Sequence, residues 1–191
     1  MLRYLLSILF IAVVVAAAGA YFFTDYWEHR FDDLIARQAR VYRIDEKLVW
    51  SLIYEETYFR PGARGEADEV GLMQVTPAVA RDWARETNLR ELEVRVNRNV
   101  NEFLTDPEQN LQVGCWYYER LRERYRGFES ETAMTLAAYN AGPGRVEEWT
   151  KDIDAAALTE AEFIERIAIA STRSYVTSIL SRYRRISAPR K

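Results

Sequence analysis

Residues 4–23 carry no charged side chain, and no other feature constrains the chain as strongly. A helix of about 20 apolar residues is long enough to cross the hydrocarbon core of a bilayer. The run follows Arg3 and ends in Ala18-Gly19-Ala20, a small-x-small pattern suited to signal cleavage. It reads as a transmembrane anchor or a cleaved signal. A buried core helix fits less well, because uncharged runs this long are rare in soluble domains. No Cys closely follows the run, which excludes lipid attachment there. Arg3 flanks one end, while Arg30, Arg37, Arg40 and Arg43 lie beyond the other. By charge alone that distribution favours a cytoplasmic body.

Residues 24–191 are then one ordinary domain of 168 residues with 25 basic and 29 acidic side chains, net charge -4. Such a body is no basic nucleic-acid binder. The last ten residues hold Arg182, Arg184, Arg185, Arg190 and Lys191 without an acid. Basic residues suit helix C-termini, so this reads as a solvated helix end rather than a binding patch. His29 and Cys115 are the only residues of their kinds. That leaves too few soft ligands for a structural zinc site and no internal disulfide. A Ser-His-Asp or Cys-His nucleophile would need His29, just past the apolar run. Neither metal nor cofactor is expected; chemistry falls to carboxylates, hydroxyls and amides.

The body reads as successive helices. Phe31, Leu34, Ile35 and Ala39 share one face. Asp45 caps a helix with Leu48, Val49, Leu52 and Ile53 periodic behind it, ended by Pro61-Gly62. Residues 62–70 have turn formers and no period, so they read as loop. Thr76-Pro77 and Asp106-Pro107 each combine a cap with a proline start. Leu92, Val94 and Val96 alternate with charged and polar residues, which suggests a short strand. Ser130 reads as the cap of a helix closing at Ala141-Gly142-Pro143-Gly144. Thr159-x-x-Glu162 is a capping box. A last helix carries Tyr175, Val176, Ile179, Leu180 and Tyr183. The class is mainly α, a single helical domain with a small β or loop element behind an N-terminal apolar helix.

Glu55 and Glu56 close the helix that follows Asp45. At about 100° per residue, Glu56 falls nearer the centre of the apolar arc and Glu55 nearer its edge. A carboxyl facing apolar surroundings loses hydration, so its pKa rises, which suits a general acid. On periodicity alone, a salt bridge to an interior Arg, or a helix end that curls into solvent, is the favoured reading.

Three blocks in one order bear on that choice. They are Glu56-Thr57-Tyr58-Phe59-Arg60-Pro61, then Gly71-Leu72-Met73-Gln74-Val75-Thr76-Pro77, then Ala137-Ala138-Tyr139-Asn140-Ala141-Gly142-Pro143-Gly144-Arg145-Val146, with Trp149 following. They resemble the catalytic domain of the soluble lytic transglycosylases, in the lysozyme-like superfamily with goose-type lysozyme. Asp106-Pro107-x-x-Asn110 to Gly114 and Thr172-Arg173-x-Tyr175-Val176 match as well, and the resemblance covers about residues 31–183. It implies an α+β lysozyme-like fold, with Glu56 as catalytic acid and base. Thr57 takes the place of the family's Ser. The resemblance further implies that Met73 and Gln74 line a sugar groove, with Tyr139 and Asn140 near the reacting centre. Amides suit sugar hydroxyls and N-acetyl groups, and Tyr offers a flat face to saccharide rings. Packing or capping roles remain open for each.

Some positions depart from the family. Gly65, Asp68 and Glu69 stand where it has a Ser and a Gly-Ala pair, and Ser171 stands where it tends to have Glu. Residues 84–105 look long enough to cover or extend the groove. The implied partner is the glycan strand of peptidoglycan, with residues 4–23 in the cytoplasmic membrane. The body would then face the cell wall, or lie in the periplasm if the segment is cleaved; function here outweighs the charge count. The implied reaction cleaves the bond from N-acetylmuramic acid to N-acetylglucosamine. With one carboxylate in the matched motifs, a 1,6-anhydro product is expected. The competing expectations are hydrolysis as in goose-type lysozyme, with Asp68 or Glu69 positioning water; a module that binds glycan without cutting; and a membrane-tethered scaffold for another protein.

Overall fold

A computed structural model describes residues 2–189 as helices joined by turns and loops, the longest loop (58–76) lying between the third and fourth helices, with no strand among the described residues. The order is α1 (Leu2–His29), α2 (Asp32–Val41), α3 (Glu46–Thr57), α4 (Pro77–Glu86), α5 (Arg90–Arg98), α6 (Val100–Thr105), α7 (Pro107–Arg122), α8 (Glu131–Ala141), α9 (Pro143–Trp149), α10 (Glu160–Arg166) and α11 (Ala170–Ser187).

The predicted helix starts are made by side chains. Asp45 accepts from the Lys47 N–H, Thr76 from Val79, Asp106 from Gln109, and Thr159 and Glu162 cap each other. Each cap satisfies a backbone donor that the first helical turn leaves free. Ser130 differs: it precedes α8 but makes no capping bond, and its buried hydroxyl has no partner among the described residues.

The centre is built on α8, which buries Ala133 to Ala138 in succession. A helix apolar all round belongs inside a fold, and α7, α9 and α11 pack about it. α3 lies between α2 and α11, with Leu52 and Ile53 almost fully buried.

The expected strand at Leu92, Val94 and Val96 is helical, within α5. Leu92 and Val96 are four apart and so share a helix face; Val96 is buried and Val94 exposed. A spacing of four satisfies both periods, which is why alternation misled here. The small β element lies instead in the loop before α4. Val70 bridges both Arg64 and Val75, through a reciprocal pair of 3.0 Å bonds between Val70 and Val75. α5 and α6 pack onto α4.

α3 ends at Thr57, ahead of Pro61, because Tyr58 (φ 50°) and Phe59 (φ 57°) both turn left-handed. Two such non-glycine residues in a row cost energy, and the end of α1 holds them. The Trp27 indole N–H donates to the Tyr58 carbonyl at 2.9 Å and Arg30 donates to the Phe59 carbonyl at 2.5 Å. The Arg30 guanidinium sits 3.5 Å over the Trp27 ring, and the Tyr58 hydroxyl donates to Glu28 at 3.0 Å. α1 therefore runs unbroken through the 23/24 boundary and docks on the body. At 1.5 Å per residue its 28 residues span about 42 Å, against about 30 Å of hydrocarbon. Its apolar side chains from Leu6 to Tyr26 are exposed, with Tyr21, Phe22, Phe23 and Tyr26 gathered towards the docked end.

Arg182 and Arg184 of the basic C-terminal stretch pair with Glu55 and Glu160. Arg190 and Lys191 lie outside the described residues.

Candidate active site

A cleft of about 180 Å³ is lined by Glu56, Glu69, Gln74, Val75, Thr76, Val79, Tyr117, Tyr139 and Asn140. The last turn of α3, the loop before α4, and α7 and α8 thus meet around one small hollow. A larger hollow of about 470 Å³, beside the end of α1, contains none of the motif residues. Among the described residues no group of three metal-ligating side chains occurs.

Glu56 and Glu55 part company on α3. Glu56 reaches the cleft, where its Oε1 accepts a 2.6 Å hydrogen bond from the Tyr175 hydroxyl of α11. Glu55 turns to Arg182, 2.9 Å away, whose guanidinium lies 4.0 Å over the Tyr54 ring. Burial pushes the Glu56 carboxyl up to about 7; the Tyr175 hydrogen bond opposes this, and the charges of Glu69 and Glu55 add to it. Tyr175 and Tyr139 are held well above the usual phenol range, chiefly by burial and then by Glu56, so both stay donors. Tyr139 spends its hydroxyl on the Met73 carbonyl at 2.7 Å.

Two of the expected groove residues lie behind the wall. Thr57 is buried, and its hydroxyl donates to the Leu72 carbonyl at 3.0 Å. Met73 is fully buried, with its sulfur 4.0 Å from Cys115 Sγ. A methionine beside Gly114 fills the gap that the missing side chain leaves: a Cβ on Gly114 would collide with Met73. Both residues hold the loop in place and present no side chain to the cleft. Gln74, Tyr139 and Asn140 do line it. Gln74 adopts a left-handed φ of 46° and ties its amide to the Gly71 carbonyl at 2.9 Å. Asn140 accepts from the buried Thr172 hydroxyl at 2.7 Å, while neighbouring Ser171 is exposed.

The loop hangs on Asn110. Fully buried in α7, its amide accepts from the Met73 N–H at 2.8 Å and donates to the carbonyls of Val70 and Leu104 at 2.7 and 2.9 Å. Gly71, at φ 79°, packs so close to Asn110 that a Cβ there would collide with it.

Of the loop acids, Asp68 is exposed and outside the lining, whereas Glu69 faces the cleft. No residue of the 84–105 segment lines this hollow. Tyr117, 5.4 Å ring to ring from Tyr139, was invisible as a site residue. The run Trp116-Tyr117-Tyr118 does not say which ring faces the cleft. Tyr175 stood in a matching block, but only the fold brings it to Glu56.

Comparison with known proteins bears on this arrangement. Residues 33–160 match the Transglycosylase SLT domain family. The soluble lytic murein transglycosylase of Salmonella typhimurium is 29% identical over 161 residues, covering 82% of this chain and 23% of that protein. The membrane-bound lytic murein transglycosylase E of Buchnera aphidicola is 29% identical over 107 residues, 56% of this chain and 46% of that protein. Among solved structures, an inactive mutant of the lytic transglycosylase Slt from Pseudomonas aeruginosa superposes with a TM-score of 0.72 at 26% identity. That match covers 86% of this chain and 25% of the other. The chain thus spans about a quarter of the Salmonella and Pseudomonas proteins.

Proposed function

The chain belongs to the Transglycosylase SLT domain family, and on that footing we propose that residues 24–191 form a catalytic domain that cuts the glycan strands of murein between N-acetylmuramic acid and N-acetylglucosamine. The observation that carries this reading is the state of Glu56: a carboxyl facing a cleft, hydrogen-bonded by Tyr175, with its pKa raised to about 7. An acid protonated near neutral pH can donate to the leaving oxygen.

Glu56 protonates the glycosidic oxygen as the C1–O bond breaks. The 2-acetamido group stabilises the developing cation. Glu56, now a carboxylate, takes the proton from the C6 hydroxyl of the same sugar, whose oxygen closes on C1. The product is a 1,6-anhydro end. An internal hydroxyl gains the large effective molarity of a tethered nucleophile. Gln74, Tyr139 and Asn140 contact the sugar, with Thr57 and Met73 supporting from behind.

Hydrolysis is the second reading, favoured by one observation: Glu69 is a second carboxylate on the cleft. Most glycosidases use two. A non-catalytic glycan-binding module does not call for an acid held protonated. On a zymogram of purified murein the wild-type chain should clear the gel and Glu56→Gln should not. Clearing by neither would sink the enzyme reading.

The body lies on the outer side of the cytoplasmic membrane, where murein is, held by α1 or released if α1 is cut. The length and exposed apolar surface of α1 support membrane insertion. A reporter fused after Lys191 that works only in the cytoplasm would contradict this placement.

A further inference from the structure

Glu69 stands out because the mechanism above leaves it unused. Its Oε2 accepts from the Ala67 N–H at 2.8 Å. Its backbone carbonyl is tied as well, by the Gly65 N–H at 2.9 Å. The carboxylate sits where a side chain at position 65 would go: a Cβ on Gly65 would collide with Glu69 Oε2 and lie 2.9 Å from Gln74 Oε1. Glycine at 65 makes the room, and the loop fixes one carboxylate oxygen. Among the described residues, no donor reaches the other.

The cleft is small. At about 180 Å³ it falls below the usual range of about 300–1,000 Å³ for ligand pockets, and it suits one saccharide unit better than a longer stretch. A ring seated there meets Glu56 and Glu69 together. Several neighbouring groups are already committed: Tyr139 to Met73, Tyr175 to Glu56, and the Gln74 amide nitrogen to Gly71. The open oxygen of Glu69 therefore offers the cleft a charged acceptor. An amino sugar carries an amide N–H that needs one.

We propose that Glu69 is a second substrate-contacting residue, whose free carboxylate oxygen accepts the N–H of the 2-acetamido group of the sugar bound beside Glu56. Accepting that hydrogen orients the acetamide and makes its carbonyl oxygen more electron-rich. That is the atom which stabilises the cation formed when Glu56 gives up its proton. Glu69 itself takes no proton in the step. The inference rests on the glycan-cleaving reading of the cleft.

The groups facing Glu56 are Glu55 on its own helix, Tyr175 of α11, Tyr139 of α8 and Glu69 of the loop. The like charge of Glu69 raises the Glu56 pKa. Removing that charge should therefore lower the pH at which activity is lost whether or not Glu69 touches the sugar, so the contact itself is read in binding and in the rate below that pH.

The experiment uses the chain with three variants, Glu69→Ala, Glu69→Gln and Gly65→Ala. It measures murein digestion across pH and calorimetric binding of a tetramer of N-acetylglucosamine. A charge-assisted hydrogen bond is worth about 10- to 100-fold. Glu69→Ala should lose that factor in both binding and rate. Glu69→Gln should lose less, because an amide oxygen still accepts, and its alkaline limit should move down. Gly65→Ala keeps the charge but displaces the carboxylate, so its rate should fall while its alkaline limit stays nearer that of the wild type. If the wild type digests murein and Glu69→Ala matches it in binding and in rate below the alkaline limit, this inference fails and the glycan-cleaving reading stands, whatever the shift in pH profile. If the wild type digests no murein, both fail. If it yields reducing ends and Glu69→Gln abolishes them, Glu69 activates water and the acetamido role is overturned.

Discussion

The hydroxyl of Tyr175 lies 2.6 Å from Glu56 Oε1, across the packed interface of α3 and α11. Two turns further along α11, Arg182 holds Glu55 at 2.9 Å. Two adjacent glutamates are thus held by one partner helix in different settings, one beside a neutral phenol and one paired with a cation.

Glu56→Gln should abolish murein lysis with the fold retained, because Gln is close in size but cannot donate an acid proton. The loss expected for a general acid is about 10²–10⁴-fold or more. Glu55→Gln should keep most activity and lose about 1–2 kcal/mol of stability, since its pair with Arg182 is only partly buried. Lysis assays and thermal melts of both variants check this. A lethal Glu55→Gln beside an active Glu56→Gln would reverse the assignment.

Activity should fall as pH rises through about 7, where Glu56 loses its proton. Stability follows the same group. Its folded pKa is raised from 4.5 to about 7, so the contribution of the neutral carboxyl is complete below about 4.5 and is lost as pH passes through about 7. The difference is at most about 3 kcal/mol. Glu56→Gln should therefore melt higher than the wild type at pH 8 and close to it at pH 4. Equal melting temperatures at both would show that Glu56 is not desolvated.

Asn110→Ala leaves the Met73 N–H and the carbonyls of Val70 and Leu104 without their partner inside the core. An unsatisfied buried group costs about 1–3 kcal/mol, so the variant should lose at least that and most activity with it. Gly71→Ala should act alike, since its φ of 79° is unfavourable for alanine and its Cβ strikes Asn110. Denaturant titration reads both. A stable, active Asn110→Ala would remove the loop anchor from the account.

A chain starting at residue 24 should fold, whereas one starting at residue 32 loses the Trp27 and Arg30 bonds to Tyr58 and Phe59. The left-handed turn after α3 then lacks its clamp. The shorter chain should be less stable by about 2 kcal/mol and less active, because that turn begins two residues after Glu56. Identical melting and lysis for the two would show that the clamp is idle.

The sequence carried the helices well where a cap and a 3.6 period agreed, as at Asp45, Thr76 and Thr159. It failed where one signal served two readings. Leu92 and Val96 suit either period, and Ser130 has a capping residue's chemistry without the geometry. For the site, helix periodicity pointed Glu56 inward, and the ordered blocks named Gln74, Tyr139 and Asn140 on the cleft. The blocks did not reveal which neighbours turn their side chains away, so Thr57 and Met73 were expected in the groove though they lie behind it. Tyr117 comes to the cleft, and Tyr175 to Glu56, from distant helices, a relationship that local spacing does not encode. Residues 4–23 announced a long apolar helix; that its continuation would grip the end of α3 depends on Trp27 and Arg30 meeting carbonyls about 30 residues away.

Mass spectrometry of murein digested by the wild-type chain tests the central claim most directly. Glu56 acting alone as acid and then base, with the sugar's own hydroxyl as nucleophile, should give muropeptides one water lighter than reducing ends, and none with Glu56→Gln. A dominant population of reducing ends would contradict that account and place an activated water, rather than the C6 hydroxyl, at C1.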